Sequence, residues 1–147
     1  MIRKFQPSDL EAVMELWLHG NIQAHDFIPK AYWEQHFSQV KEMLPDAELY
    51  IYENDNTAII EGFVGLSDSY IAGIFVKDSA RSQGIGKSLL DYVKSIKEGL
   101  TLNVYIRNQR AVNFYLREGF IIQSQNVDES TGEQEYVMAW QPYFREQ

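Results

Sequence analysis

Arg81-Ser82-Gln83-Gly84-Ile85-Gly86-Lys87 lies between an apolar run and an amphipathic segment, and it is the most informative stretch of this chain. Gly84 and Gly86 let the backbone approach a ligand where a Cβ would obstruct it. The amides that follow are the unpaired donors at the start of a helix, and such donors attract anions, phosphate above all. The stretch therefore predicts a phosphate-binding loop that opens a helix.

The spacing of this loop does not fit the two common nucleotide-binding patterns. A P-loop reads GxxxxGK[ST]; Gly86-Lys87-Ser88 supplies its end, but Arg81 stands where the first glycine belongs. A dinucleotide-binding GxGxxG would need a third glycine at Leu89. A nucleotide binder is therefore the weakest of the functions that we consider.

The pattern R-x-x-G-x-G, followed by Leu89-Leu90, resembles the acetyl-CoA motif of the GCN5-related N-acetyltransferase (GNAT) superfamily. A second segment, Asn108–Phe120, resembles the N-x-x-A-x-x-F-Y-x-x-x-G-F element of the same superfamily, at the expected distance downstream. The two motifs extend from about Ile71 to Phe120, and the elements around them fit as well. The chain is thus similar over essentially its whole length to small stand-alone bacterial members.

Hydrophobic periodicity predicts the element order β-α-α-β-β-β-α-β-α-β-β and an α/β domain with a mixed sheet. The resemblance implies a mostly antiparallel central sheet, helices on both faces, and two central strands that splay apart to admit the cofactor. The predicted strands are Ile2–Phe5, Glu48–Glu53, Ala58–Leu66, Tyr70–Val76, Leu100–Ile106, Phe120–Val127 and Glu133–Trp140.

Four helices are predicted from capping residues and apolar stripes. A capping box of Ser8 and Glu11 starts the first helix, and the second follows Pro29. The third begins near the glycine loop, buries an apolar face that includes Ile96, and ends around Gly99. The fourth is capped by Asn108 and terminated by Gly119.

Composition narrows the class of protein. With 147 residues and 45% hydrophobic content, we expect one domain over residues 1–147. No apolar run reaches the roughly 18 residues of a membrane span, and the start of the chain does not read as a signal peptide, so we expect a cytoplasmic protein without a membrane partner. A net charge of −8 disfavours nucleic acid and would attract a cationic amine.

By resemblance, acetyl-CoA is the co-substrate, and no metal is expected. Backbone amides of the glycine loop would hold its pyrophosphate, and the strand before the loop would pair its backbone with the pantetheine arm. One amide of that strand would donate to the oxyanion. The full set of predicted cofactor-binding residues is Ile74, Phe75, Val76, Arg81, Ser82, Gln83, Gly84, Ile85, Gly86, Lys87, Asn108 and Tyr115.

Two side chains are candidates for proton transfer. By resemblance, the Tyr115 hydroxyl would protonate the departing thiolate, since a phenol is protonated at neutral pH. Many relatives carry a glutamate on the strand before the loop, but Ser69–Phe75 contains no carboxylate. His25 is therefore a candidate base. The alternative is proton removal through water, in a channel that Tyr70 or Tyr105 would line.

These observations predict an acetyl-CoA-dependent N-acetyltransferase. Because the chain has no cysteine, an acetyl-cysteine intermediate is excluded, and the preferred hypothesis is direct transfer of the acetyl group to a primary amine in a ternary complex. The acceptor is either a small amine or a protein lysine or N-terminus, and the chain is a monomer or a homodimer. The alternative from another class is a non-catalytic acyl-CoA-binding regulatory module.

Overall fold

A mixed sheet with the strand order β1-β2-β3-β4-β5-β7-β6 organises the molecule. The structure is a computed structural model that describes residues 1–142. Neighbouring strands are antiparallel, except that β4 and β5 are parallel. The strands are β1 (Ile2–Lys4), β2 (Glu48–Glu53), β3 (Ile60–Ser67), β4 (Tyr70–Val76), β5 (Leu100–Tyr105), β6 (Ile121–Asp128) and β7 (Glu133–Trp140).

Helices pack against both faces of this sheet, as the resemblance implied. Their apolar faces join two separate clusters of side chains. On strand β2, Tyr50 belongs to the cluster under α3, while Leu49 and Ile51 belong to the cluster under α1. The helices are α1 (Leu10–Ala24), α2 (Lys30–Met43), α3 (Ile85–Ile96) and α4 (Gln109–Arg117).

The elements that carry the two motifs have the clearest amphipathic patterns. Ile85, Leu89 and Val93 are buried on one face of α3, because residues three and four apart share a face of a helix. In β5, Leu100 and Leu102 are buried while Thr101 and Asn103 are exposed. The predicted periodicities of helix and strand are confirmed here, and together they place the glycine loop beside the middle of the sheet.

The sheet splits between β4 and β5. Their parallel pairing covers two residue pairs, Tyr70 with Thr101 and Ile71 with Leu102. Beyond these pairs, β4 continues to Val76 and β5 to Tyr105 without contact between their backbones in the sheet. The splayed central strands that the resemblance implied are confirmed, and the gap between them is the start of a cleft.

Two predicted helix boundaries are wrong. The first helix starts at Leu10, after a 3-10 turn, and the capping contact joins the Gln6 amide to the Asp9 carboxylate at 2.8 Å rather than Ser8 to Glu11. Arg3 forms an ion pair with the buried Asp9 carboxylate, and this pair holds the carboxylate where it can accept from the Gln6 amide. Helix α3 ends at Ile96, which is 44% exposed rather than buried, because the chain is already extended at the next residue.

None of the helices between residues 1 and 142 is long and apolar enough to cross a membrane.

Candidate active site

The gap between β4 and β5 opens into a cleft of about 910 Å³. Its walls come from the ends of both strands, the start of α3 and one face of α4. Nearly every predicted site residue lines it; Gln83, exposed in the loop, is the exception. The predicted residues that line the cleft are His25, Ile74, Phe75, Val76, Arg81, Ser82, Gly84, Ile85, Gly86, Lys87, Asn108 and Tyr115.

The glycine loop presents unpaired backbone donors to this cleft. Gly84 precedes α3 in the left-handed region with φ of +79°, and Ser82 has φ of +67°. Within residues 1–142, no acceptor bonds to the amides from Gln83 to Lys87. A Cβ added at Gly84 would meet no protein atom within 4 Å, so the space above it is open. This arrangement fits a phosphate group.

Basic side chains border the loop, although carboxylates already engage two of them. The Lys87 Nζ lies 3.0 Å from Glu118 and 3.2 Å from Asp91, and these contacts raise the pKa of Lys87. Arg81 lies 3.4 Å from Asp78. Glu118 is only 6% exposed, so its position fixes the lysine more firmly than a surface pair would. Lys87 therefore brings less net charge to the cleft than its sequence position suggests.

Tyr115 lies on the inner face of α4, 8% exposed, with its ring against Phe114 and Phe120. Burial raises the pKa of Tyr115, and the nearby Tyr70 adds to the shift. The hydroxyl is therefore protonated throughout the physiological pH range. A protonated phenol at the wall of the cleft is suited to donate a proton to a thiolate.

His25 and Asn108 meet on the other side of the gap. Asn108 caps α4 as predicted, accepting the Ala111 amide at 3.3 Å, and its Nδ2 lies 3.3 Å from His25 Nε2. The His25 ring packs against Trp33 and Tyr105. Burial lowers the pKa of His25 to about 4, so the ring is neutral at pH 7 and only weakly basic. This geometry gives little support to the predicted role as base.

Two glycines, Gly20 and Gly73, leave the space that the ring of Phe75 occupies, and the sequence analysis did not predict this contact. A Cβ at Gly73 would lie 2.5 Å from the Phe75 ring, and one at Gly20 of α1 would lie 2.8 Å from it. The ring stacks on Phe63 at 5.0 Å on the α1 face, whereas Ile74 packs toward α3. The packing of Phe75 and Ile74 on opposite faces fixes the path of β4, whose unpaired backbone edge faces the gap.

Three acidic residues of the described chain line the cleft, and none of them was predicted: Glu118, described above, Asp128 and Glu135. Asp128 accepts hydrogen bonds from the Tyr105 hydroxyl at 2.6 Å and from Ser130, and Glu135 accepts one from Asn103 Nδ2 at 2.9 Å. Glu135 lies opposite Tyr105 because β7 pairs with β5. The sequence predicted the strand β7 but not its neighbour in the sheet, so the position of Glu135 in the cleft could not be predicted.

The described residues contain no group of three or more His, Asp or Glu side chains that could hold a metal ion.

Comparison with known proteins identifies the family. Residues 45–122 match the acetyltransferase (GNAT) domain, which is more than half of the chain. The chain belongs to the GNAT family. Among GNAT proteins it is 36% identical to the peptidyl-lysine N-acetyltransferase YiaC of Escherichia coli, over 95% of this chain and 96% of YiaC.

Solved GNAT structures share the fold. The solution structure of apo YjaB from Escherichia coli superposes with a TM-score of 0.84 at 27% identity, and the match covers 95% of this chain and 96% of YjaB. The Salmonella typhimurium protein yncA, solved with acetyl-CoA, gives a TM-score of 0.68 at 15% identity, over 96% and 92% of the two chains.

Family membership settles the class of activity. The chain is an N-acetyltransferase of the GNAT family, and acetyl-CoA is its acyl donor. The predicted family, fold, enzyme class and co-substrate are confirmed. The comparisons favour the enzyme over the non-catalytic module and over a nucleotide binder of the P-loop type.

Proposed function

We propose that this protein acetylates lysine side chains of peptides or proteins, by direct transfer from acetyl-CoA bound in the same cleft as the acceptor. The observation that carries the proposal is the 36% identity with a peptidyl-lysine N-acetyltransferase across nearly the full length of both chains. The open cleft of about 910 Å³ supports it, because a lysine side chain needs a channel that is accessible from the surface.

The two ends of the cleft suit the two substrates. The amides from Gln83 to Lys87 would bind the pyrophosphate, and the unpaired edge of β4 after Ile71 would hold the pantetheine arm. Bound acetyl-CoA supplies a thioester whose acetyl group is activated for transfer to an amine. The acceptor would enter from the side where Tyr70 and Tyr105 line the cleft.

The chemistry requires proton transfers at the acceptor nitrogen and at the leaving thiolate. The amine nitrogen bonds to the acetyl carbonyl carbon, the carbon–sulfur bond breaks, and the leaving thiolate takes the proton of Tyr115. The acceptor nitrogen loses two protons to water in the open cleft, one from the ammonium before attack and one after the bond to carbon forms, and the Tyr115 phenolate regains a proton from water. Water is the proposed route because β4 carries no carboxylate and burial makes His25 a weak base. With no cysteine in the chain, no acetyl-enzyme forms on a thiol.

The proposal is tested by measuring release of the CoA thiol with three acceptors. These are a lysine peptide with a blocked N-terminus, a lysine-free peptide with a free N-terminus, and a polyamine. We expect the lysine peptide to give the highest kcat/KM. A clear preference for either of the other two acceptors would overturn the assignment of lysine as acceptor.

The role of Tyr115 is tested in the same assay. Tyr115→Phe should lower kcat by ~10²-fold or more and leave the KM for acetyl-CoA nearly unchanged, because the hydroxyl acts on the leaving group. Tyr92→Phe is the matched control, since Tyr92 packs on Tyr50 and does not line the cleft. Equal kcat values for the two variants would remove Tyr115 from the mechanism.

A further inference from the structure

The cleft has charges of opposite sign at its two ends. Arg81, Lys87, Arg110 and Arg117 line it at the start of α3 and along α4, and Glu118 is the one carboxylate of the described lining there, so this end keeps a net positive charge where anionic groups of the acyl donor would lie. Asp128 and Glu135 line it where β5, β6 and β7 meet. Since a lysine acceptor is a cation in solution, it is drawn to the acidic end of the cleft.

The two carboxylates at this end differ in their hydrogen bonds. Both oxygens of Asp128 are used, one by the Tyr105 hydroxyl and the other by the amide and hydroxyl of Ser130. Glu135 uses only Oε1, which accepts from Asn103. Among residues 1–142, no Lys, Arg or His forms an ion pair with Glu135. Asp128 is thus satisfied within the protein, whereas Glu135 keeps an oxygen for a ligand.

Tyr70 lines the same cleft as Glu135 and the candidate acid Tyr115. Tyr70 pairs with Thr101 of β5, two residues before the Asn103 that contacts Glu135, and burial together with the charges of Glu135 and Asp128 raises its pKa. Tyr70 is also close enough to Tyr115 to influence its pKa. A group bound at Glu135 therefore shares the cleft with the hydroxyl that would protonate the thiolate.

We propose that Glu135 binds the ammonium group of the incoming lysine, and that Asn103 positions its carboxylate. This inference rests on the proposed function. The free Oε2 accepts a charge-assisted hydrogen bond from the ammonium, and the rings of Tyr70 and Tyr105 cover the apolar stem of the lysine. Glu135 is thus a determinant of acceptor specificity that draws the amine beside the acyl group before it loses a proton to water.

The test is steady-state kinetics of Glu135→Gln with the lysine peptide. Glutamine keeps the size of the side chain and can still accept from Asn103, so the fold is retained while the charge is lost. We expect the KM for the peptide to rise by ~10-fold, as for loss of one charge-assisted hydrogen bond. The kcat and the KM for acetyl-CoA should stay within about twofold of wild type.

Glu133→Gln is the matched control, because it removes the same charge from the same strand. Glu133 pairs with Arg107 and does not line the cleft, so its variant should keep the wild-type KM for the peptide. Asn103→Ala should raise the peptide KM in the wild-type background but add little to Glu135→Gln, because the two side chains act as a unit. Circular dichroism verifies that each variant is folded.

The outcomes separate this proposal from the proposed function. If the wild-type enzyme does not acetylate the lysine peptide, the proposed function fails and the role of Glu135 fails with it. If wild type is active and Glu135→Gln matches Glu133→Gln, only the role of Glu135 is wrong. A fall in kcat with an unchanged peptide KM would also overturn it, since Glu135 would then act in chemistry and not in binding.

Discussion

Burial has opposite consequences for Tyr115 and His25. It disfavours the charged form of each side chain, so it raises the pKa of the phenol and lowers that of the imidazole. The phenol therefore keeps its proton, although the raised pKa makes it a weaker acid, and the imidazole becomes a poor base. One physical effect thus fixes the protonation state of Tyr115 and weakens the prediction that His25 is the base.

The neutral His25 makes stability depend on pH. In the folded chain its pKa is about 4, whereas the unfolded chain has the ordinary value near 6.5. Between these values the unfolded state binds more protons, so the free energy of unfolding falls as the pH drops from 6.5 to 4. We expect His25 to contribute roughly 3 kcal/mol to this fall, measured by urea unfolding at a series of pH values.

Two variants isolate this contribution. His25→Gln should flatten the pH dependence between 6.5 and 4, and His19→Gln, the same substitution at an exposed position, is the matched control. Carboxylates with lowered pKa, such as Asp9, act in the same direction at lower pH and are present in all three proteins. A wild-type slope in His25→Gln would contradict the assignment of a low pKa to His25.

At the scale of elements, the glycine loop depends on both its backbone conformation and the open space above it. Gly84→Ala should cost about 1–2 kcal/mol of stability, because φ of +79° is strained for a residue with a Cβ. The added methyl also enters the space that a phosphate would occupy. We expect the Kd for acetyl-CoA to rise by at least ~10-fold, measured by calorimetry.

Gly132→Ala separates the strain from the steric effect. Gly132 has φ of +76° and no atom within 4 Å of its added Cβ, but it lies in the turn between β6 and β7 and does not line the cleft. It should lose stability like Gly84→Ala and bind acetyl-CoA like wild type. Equal affinities for acetyl-CoA in the two variants would mean that the loop is not the phosphate site.

Local signals in the sequence were sufficient for most elements. The alternation of Leu100, Leu102 and Val104 identified β5, and Asn108 marked the start of α4, because period and capping depend on neighbours in sequence. The failures depend on distant contacts. The capping contact moved to Asp9 because Arg3, on a different element, pairs with it.

The candidate site likewise contains residues that a local sequence motif identifies and residues that only distant contacts bring together. The loop and Tyr115 could be predicted because each belongs to a contiguous motif. Glu135 could not, because its place in the cleft depends on the pairing of β7 with β5. The partnership of Lys87 with Glu118 was likewise invisible, since the two residues are 31 positions apart and meet only when α3 and α4 pack.

For the whole molecule, the open cleft between β4 and β5 is a binding site that exists only when the chain is folded. A ligand that binds only the folded state at 100 times its Kd adds about 2.7 kcal/mol to stability. For a chain of this size we expect a rise in Tm of ~5–10 °C, measured by calorimetry. Gly84→Ala should show a much smaller rise at the same acetyl-CoA concentration, and an equal rise would contradict the assigned site.

The position of β7 has a consequence for synthesis of the chain. It is the last strand within residues 1–142, yet it lies between β5 and β6, and β6 has no other neighbour in the sheet. Until residues 133–140 have been synthesised, β5 is held to the earlier strands by its two residue pairs with β4. During that time the strand that carries Glu135 is not yet in place. A nascent chain can therefore complete its glycine loop well before it can complete the acceptor side of its cleft.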